Sequence, residues 1–102
     1  MATRLELQSK LEELLGSKNV YYQPPANKVM EYPCIKYSKS KVRGRFANNK
    51  VYSLLRCYEI IVIDKKPDNP VIEKILTEIP YSSYDRPYKA DNLNHDVLTI
   101  YY

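Results

Sequence analysis

The sequence predicts an α+β fold: an antiparallel or mixed β-sheet with a long projecting β-hairpin and two helices packed against the sheet. Three observations carry this expectation. Leu7 to Leu15 and Val71 to Ile79 show helical apolar spacing, the chain from Tyr32 to Ile63 is extended with one interruption of turn chemistry, and Val97 to Tyr102 is apolar on both strand faces. The 102 residues suit a single domain, 1–102, able to bury roughly two-thirds of its unfolded surface.

Thr3 and Glu6 have the spacing of a capping box, which satisfies two orphan backbone N–H groups at a helix start. A helix follows, with Leu7, Leu11, Leu14 and Leu15 on one stripe and Gly16 as its left-handed stop. Leu5 projects off that stripe, so it is either a lone surface leucine or an intersubunit contact. Val20, Tyr21 and Tyr22 form a short strand that Pro24 and Pro25 must end, because neither proline can donate to a ladder.

Extended chain resumes at Tyr32 and Pro33 with Cys34, Ile35 and Tyr37. The reversal falls within Val42 to Lys50, where Gly44 and the pair Asn48 and Asn49 tolerate positive φ. Val51 to Ile63 is the longest β signal, apolar on both faces at its far end, so that end should be buried and the near end should project. Asn69 and Pro70 read as a cap and a first-turn proline. The helix they open presents Val71, Ile72, Ile75, Leu76 and Ile79 on one face until Pro80 ends it. Tyr81 to Lys89 reads as a short strand at best, and Asp91 to Asp96 as a polar turn. The last strand, apolar on both faces, belongs inside a sheet or against another subunit.

No catalytic motif appears, so the chain is expected not to be an enzyme and to need no cofactor or metal. His95 is the only histidine and reads as a turn residue. Asp64, Asp85, Asp91 and Asp96 could in principle form a two-metal site, but without a motif they read as turn and cap residues. Two cysteines are too few for a disulfide framework, no apolar run reaches membrane-spanning length, and the first ten residues lack the apolar stretch of a secretory signal, so a soluble protein of a reducing compartment is expected. If the hairpin is symmetric about Arg45 and Phe46, Cys34 and Cys57 come opposite each other.

Charge carries the strongest functional signal. Between Tyr32 and Tyr58 there is no Asp or Glu, but there are Lys36, Lys39, Lys41, Arg43, Arg45, Lys50 and Arg56. Unpartnered like charges on one element repel, so an acidic partner is expected, either nucleic acid or protein. Eleven tyrosines beside one Phe and no Trp favour half-buried strand faces and subunit contacts, since tyrosine packs a ring and presents a hydroxyl. Arg43 to Ala47 matches part of the RNA-recognition signature, yet that signature belongs on a central strand and here it sits at a turn. A solvated hairpin that contacts nothing is the remaining reading.

The leading helix, "NVYYQPP" from Asn19, "YPCIKY" from Tyr32, "YEIIVIDKKPDNP" from Tyr58 and "YDRPYKADNLNHDVLTIYY" from Tyr84 together resemble the tail terminator, or tail completion, proteins of long-tailed bacteriophages. The resemblance spans nearly the whole chain. It implies a structural virion protein that forms a homohexameric ring at the head-proximal end of the tail tube, stops tube polymerisation and offers a docking surface for the head. Its partners would be the tail tube protein and a head–tail connector or neck protein. DNA would pass through without specific binding, no membrane would be involved, and assembly would take place in the host cytoplasm. Carried onto this chain, the hairpin becomes a tube-facing or subunit-facing arm with Lys39, Lys41, Arg43, Arg45, Phe46 and Lys50 as partner-binding residues, and Leu5, Tyr101 and Tyr102 as subunit contacts. Another head–tail connection component, or a small basic nucleic-acid-binding domain, are the alternatives.

Overall fold

The computed structural model describes the backbone of residues 4–47 and 50–102, and the side chains of residues 4–40 and 56–102. In chain order the elements are α1 (Arg4–Leu15), β1 (Val20–Tyr22), β2 (Cys34–Ala47), β3 (Lys50–Asp64), α2 (Val71–Glu78), β4 (Ser82–Ala90) and β5 (Leu93–Tyr101). The strands form one mixed sheet in the order β1-β2-β3-β5-β4. Only β1 and β2 pair in parallel, and the other neighbours are antiparallel. The fold is therefore α+β, with a mixed five-stranded sheet and two helices.

Leu7, Leu11 and Leu14 of α1 are buried, with Leu15 packed at the margin, and Gly16 ends the helix at φ 81°. Thr3 lies outside the described residues, and with it the expected capping box. In α2 the start is as the sequence predicts: Pro70 already has helical φ and ψ, and the Val71 N–H donates to Asn69 Oδ1 at 2.9 Å. Val71, Ile75 and Ile79 are buried, whereas Leu76, assigned to the same face, is exposed. Leu76 immediately follows Ile75, about 100° further around the helix, and so falls at the edge of the buried stripe.

Both helices pack on one sheet face. Their buried residues join Ile35 and Tyr37 of β2, Tyr58, Ile60 and Val62 of β3, and Leu98 and Ile100 of β5 in one cluster. By strand alternation the opposite face holds Cys34, Ile63 and His95 in one cross-strand row and Lys36, Ile61 and Val97 in the next. No helix among the described residues lies over that face. Cys34 and Val97 are nonetheless fully buried.

Two expectations about strands are corrected. Tyr81 to Lys89 is not a short strand at best, since β4 runs nine residues, from Ser82 to Ala90. The polar segment from Asp91 to Asp96 is a turn only at Asp91 and Asn92, both at positive φ (51° and 60°), and β5 already begins at Leu93. Two consecutive positive φ values are the signature of a type I′ hairpin turn, whose twist suits a tight antiparallel pair. β4 is an edge strand with most of its residues exposed, so no apolar alternation marks it. Pro87 is tolerated there because an edge strand leaves one side of its backbone unpaired.

The expected pairing of the cysteines is also corrected. Ala47 pairs with Lys50, so the strands do not reverse about Arg45 and Phe46; Asn48 and Asn49 lie outside the described residues. Register then sets Cys34 opposite Ile63 and Cys57 opposite Lys41, at separate rungs of the ladder. Register shifts occur between Lys39 and Lys41 and between Arg45 and Phe46. Both cysteines are free thiols and buried.

Candidate interaction surface

The junction of α1 with the first three strands gathers residues that are far apart in sequence. Arg4, the first residue of α1, lies with its guanidinium 4.4 Å from the centroid of the Tyr22 ring and donates through Nη1 to the Tyr37 hydroxyl at 3.3 Å. That hydroxyl donates in turn to Gln8 Oε1, and Gln8 Nε2 donates to the Val20 carbonyl at 2.9 Å and to Glu12 Oε2 at 3.0 Å. The network ties α1 to β1 and β2 through groups that are each satisfied, as a partly buried polar cluster requires. Tyr22 and Tyr37 lie 4.9 Å apart and Tyr37 and Tyr58 6.0 Å apart, in tilted and edge-on contacts. Burial pushes the Tyr37 and Tyr58 hydroxyls above the usual tyrosine range, against the pull of Arg4 on Tyr37 and of Arg56 on Tyr58.

Arg4, Tyr22, Lys39, Arg56 and Tyr58 line one open cleft here. Three cations therefore share a depression that no carboxylate lines. Of the residues expected to bind a partner, only Lys39 belongs to it, with an exposed side chain. Lys41, Arg43, Arg45, Phe46 and Lys50 lie on β2 and β3, and their side chains are outside the described residues. Arg4, Tyr22 and Tyr58 carried no signal of this kind in the sequence. Arg56 was visible only as one of seven charges, because strand pairing is what sets it beside Lys39 and the start of α1.

Leu5 is 66% exposed, as its departure from the apolar stripe implies. It lines a shallow depression together with Glu6, Ser9, Lys10, Glu13 and Tyr102, so two of the three expected subunit contacts share a surface. Tyr101 does not join them. It pairs with Cys57, and alternation puts it on the face bearing Val97 and Thr99. Beside this depression Lys10 Nζ meets Glu78 Oε1 at 3.1 Å, an exposed ion pair joining the two helices whose hydrogen bond holds the Lys10 ammonium above its ordinary range.

His95 lies on β5 and not in a turn, because the reversal is complete at Asn92. Its ring stacks on Tyr88 at 4.5 Å, and its Nδ1 is 3.1 Å from the Leu93 carbonyl oxygen. The four aspartates are separately occupied or apart. Asp64 accepts from Asn69 Nδ2 at 2.8 Å, Asp85 from Thr99 Oγ1 at 2.7 Å and Asp96 from the Tyr84 hydroxyl at 2.7 Å, while Asp91 is in the turn. Among the described residues no group of three or more His, Cys, Asp and Glu could hold a metal ion, and no helix is long and apolar enough to cross a membrane. Comparison with protein-family models and with curated proteins returns no match for this chain.

Proposed function

We propose that this chain is a structural virion protein that forms a ring at the head-proximal end of a phage tail tube, ends tube polymerisation and provides the surface for head attachment. The observation that carries the reading is the segregation of charge along the β2–β3 pair, where seven cations lie between Tyr32 and Tyr58 without an acidic residue. A strand pair of one charge sign is suited to clip onto an acidic neighbour in an assembly, where charge complementarity fixes register and orientation. Supporting it are the tyrosine excess, the sheet face that neither helix covers, and the resemblance to tail terminators. In this reading the distal part of the hairpin projects as the arm, and the ring is hexameric when seated on the tube.

The test is reconstitution with the tail tube protein, followed by electron microscopy of tube ends. Rings at one end, with tubes of limited length, are the expected result. Tubes that grow without end-bound rings would refute the assignment.

The nucleic-acid alternative draws on the same cations and is separated by salt. A binder using six or seven phosphate contacts loses about 10³-fold or more in affinity between about 50 and 200 mM salt but remains specific and saturable near physiological strength. A ring through which DNA slides needs no such grip. The expected result is weak retention of duplex DNA at low salt only. Saturable binding at about 150 mM salt would favour the nucleic-acid-binding domain, with Arg43, Arg45 and Phe46 the first residues to replace.

A further inference from the structure

Two depressions toward opposite edges of the sheet are lined by opposite charge. At the β1–β2–β3 edge stands the cleft of Arg4, Lys39 and Arg56 with Tyr22 and Tyr58. Toward the β5–β4 edge, at the start of α2, a second depression is lined by Asp68, Glu73, Asp96 and Tyr84 among uncharged residues. Among the described residues no cation lines it, although Lys65 and Lys66 stand in the preceding turn. The sequence as a whole has the same division: of 16 Lys and Arg, seven fall between Tyr32 and Tyr58, so nine remain elsewhere against all 12 Asp and Glu.

The basic cleft has features of a seat for a compact anion. Tyr58, one of the residues that line it, is 2% exposed. A buried tyrosine ring thus lies beside three cations. The aromatic rings are closed to stacking: Tyr37 and Tyr58 are buried, and Arg4 covers Tyr22. A single-stranded nucleic acid needs open ring faces for its bases, whereas a carboxylate needs only charge and hydrogen-bond donors.

We infer that the cleft of one copy receives the acidic depression of a second copy, with Lys39, Arg4 and Arg56 facing Asp68, Glu73 and Asp96. This rests on the ring reading above and specifies its contact. Because the two surfaces are different and lie toward opposite edges of one sheet, the contact is head-to-tail, and such a contact produces a closed ring when its rotation closes. It leaves the distal part of the hairpin available to the tube. Being largely electrostatic, it weakens as salt rises.

The test is a charge swap. Lys39→Glu and Glu73→Lys each reverse one exposed side chain, so neither should move the thermal unfolding midpoint appreciably. Self-association is read by sedimentation velocity at low salt and by ring occupancy of tube ends. Each single variant is expected to weaken association by about tenfold or more, and the double variant to recover it. Single variants that associate and occupy tube ends like the original chain would overturn this contact and leave the ring reading intact. Weakening without recovery in the double variant would overturn the pairing. No association of the original chain, in solution or on tubes, would overturn the contact and the ring together. If the cleft serves DNA instead, the signs separate: Lys39→Glu weakens DNA retention, Glu73→Lys strengthens it, and self-association is unmoved by either.

Discussion

The two antiparallel hairpins of this sheet are built on different principles. β2–β3 alternates residues that meet the helices with residues of the opposite face, and its proximal half is anchored by Ile35, Tyr37, Ile60 and Val62 in the core. β4–β5 joins one strand of the same kind, β5, to a partner with almost no buried residue. β4 is held by its ladder to β5, by the I′ turn at Asp91 and Asn92, and by side-chain bonds such as Tyr84 to Asp96 and Thr99 to Asp85. Their charges differ as well, since the first hairpin is basic between Tyr32 and Tyr58 whereas the second mixes Asp85, Asp91 and Asp96 with Arg86 and Lys89. One strand pair is stabilised by burial, and in the other an edge strand is held by turn geometry and pairing.

That contrast breaks down if the core of β3 proves dispensable. Ile60 is fully buried between the helices and the sheet, so Ile60→Ala should cost about 2–5 kcal/mol in denaturant unfolding, the sum of lost transfer energy and a residual cavity. By comparison Ser83→Ala, on exposed β4, should fall within about 0.5 kcal/mol. Equal losses at the two positions would show that β4 contributes to the core after all.

The turn gives the next effect in size. Asn92 holds φ 60°, a conformation costly to β-branched residues and free to glycine. Asn92→Val should lower stability by about 1–2 kcal/mol, and Asn92→Gly should leave it unchanged or slightly raised. If both variants unfold alike, β4–β5 does not depend on its turn.

Replacing Lys41, Arg43 and Arg45 together by Glu separates stability from function in the other hairpin. In the arm reading the charges of this segment serve the partner and contribute little to folding, so thermal unfolding should stay nearly unchanged while end-bound rings are lost from tubes. A triple variant that does not fold would assign this segment to the core.

The smallest effect is one of pH. Burial pushes the Cys34 thiol up to about 11, with Lys36 opposing and Asp64 adding to the shift. The neutral thiol is the form that the fold favours. Its contribution is therefore complete below the unfolded-state value, near 8.5, and is lost as pH rises through about 11. Between those limits stability of the original chain should fall more steeply with pH than that of Cys34→Ala, with the raised Tyr37 and Tyr58 adding to the loss in both. Identical slopes would mean that Cys34 is solvated in the folded protein. For the same reason, a disulfide reagent at pH 8 should label Cys34 only after denaturant is added.

Local pattern accounts for much of the architecture. Leucine and isoleucine spacing specified both helices, Gly16 and Asn69–Pro70 marked a stop and a start, and the β-rich runs specified β1, β2, β3 and the close of β5. These features are readable because a residue's burial there repeats with the period of its own element. Charge clustering on β2 and β3 was equally plain, being a matter of composition.

Tertiary structure decided the rest, wherever the determining partner lies far along the chain. β4 exists because β5 offers a free edge, and its own residues show no apolar alternation. The separation of Cys34 from Cys57 follows from the pairing of Ala47 with Lys50, a register that one residue's identity does not reveal. The cleft is the clearest case. Arg4, Tyr22, Lys39, Arg56 and Tyr58 meet only because β1 pairs with β2, β2 with β3, and α1 lies across them. Periodicity reports which side of an element is buried, whereas which elements become neighbours is set by the packing of the whole chain.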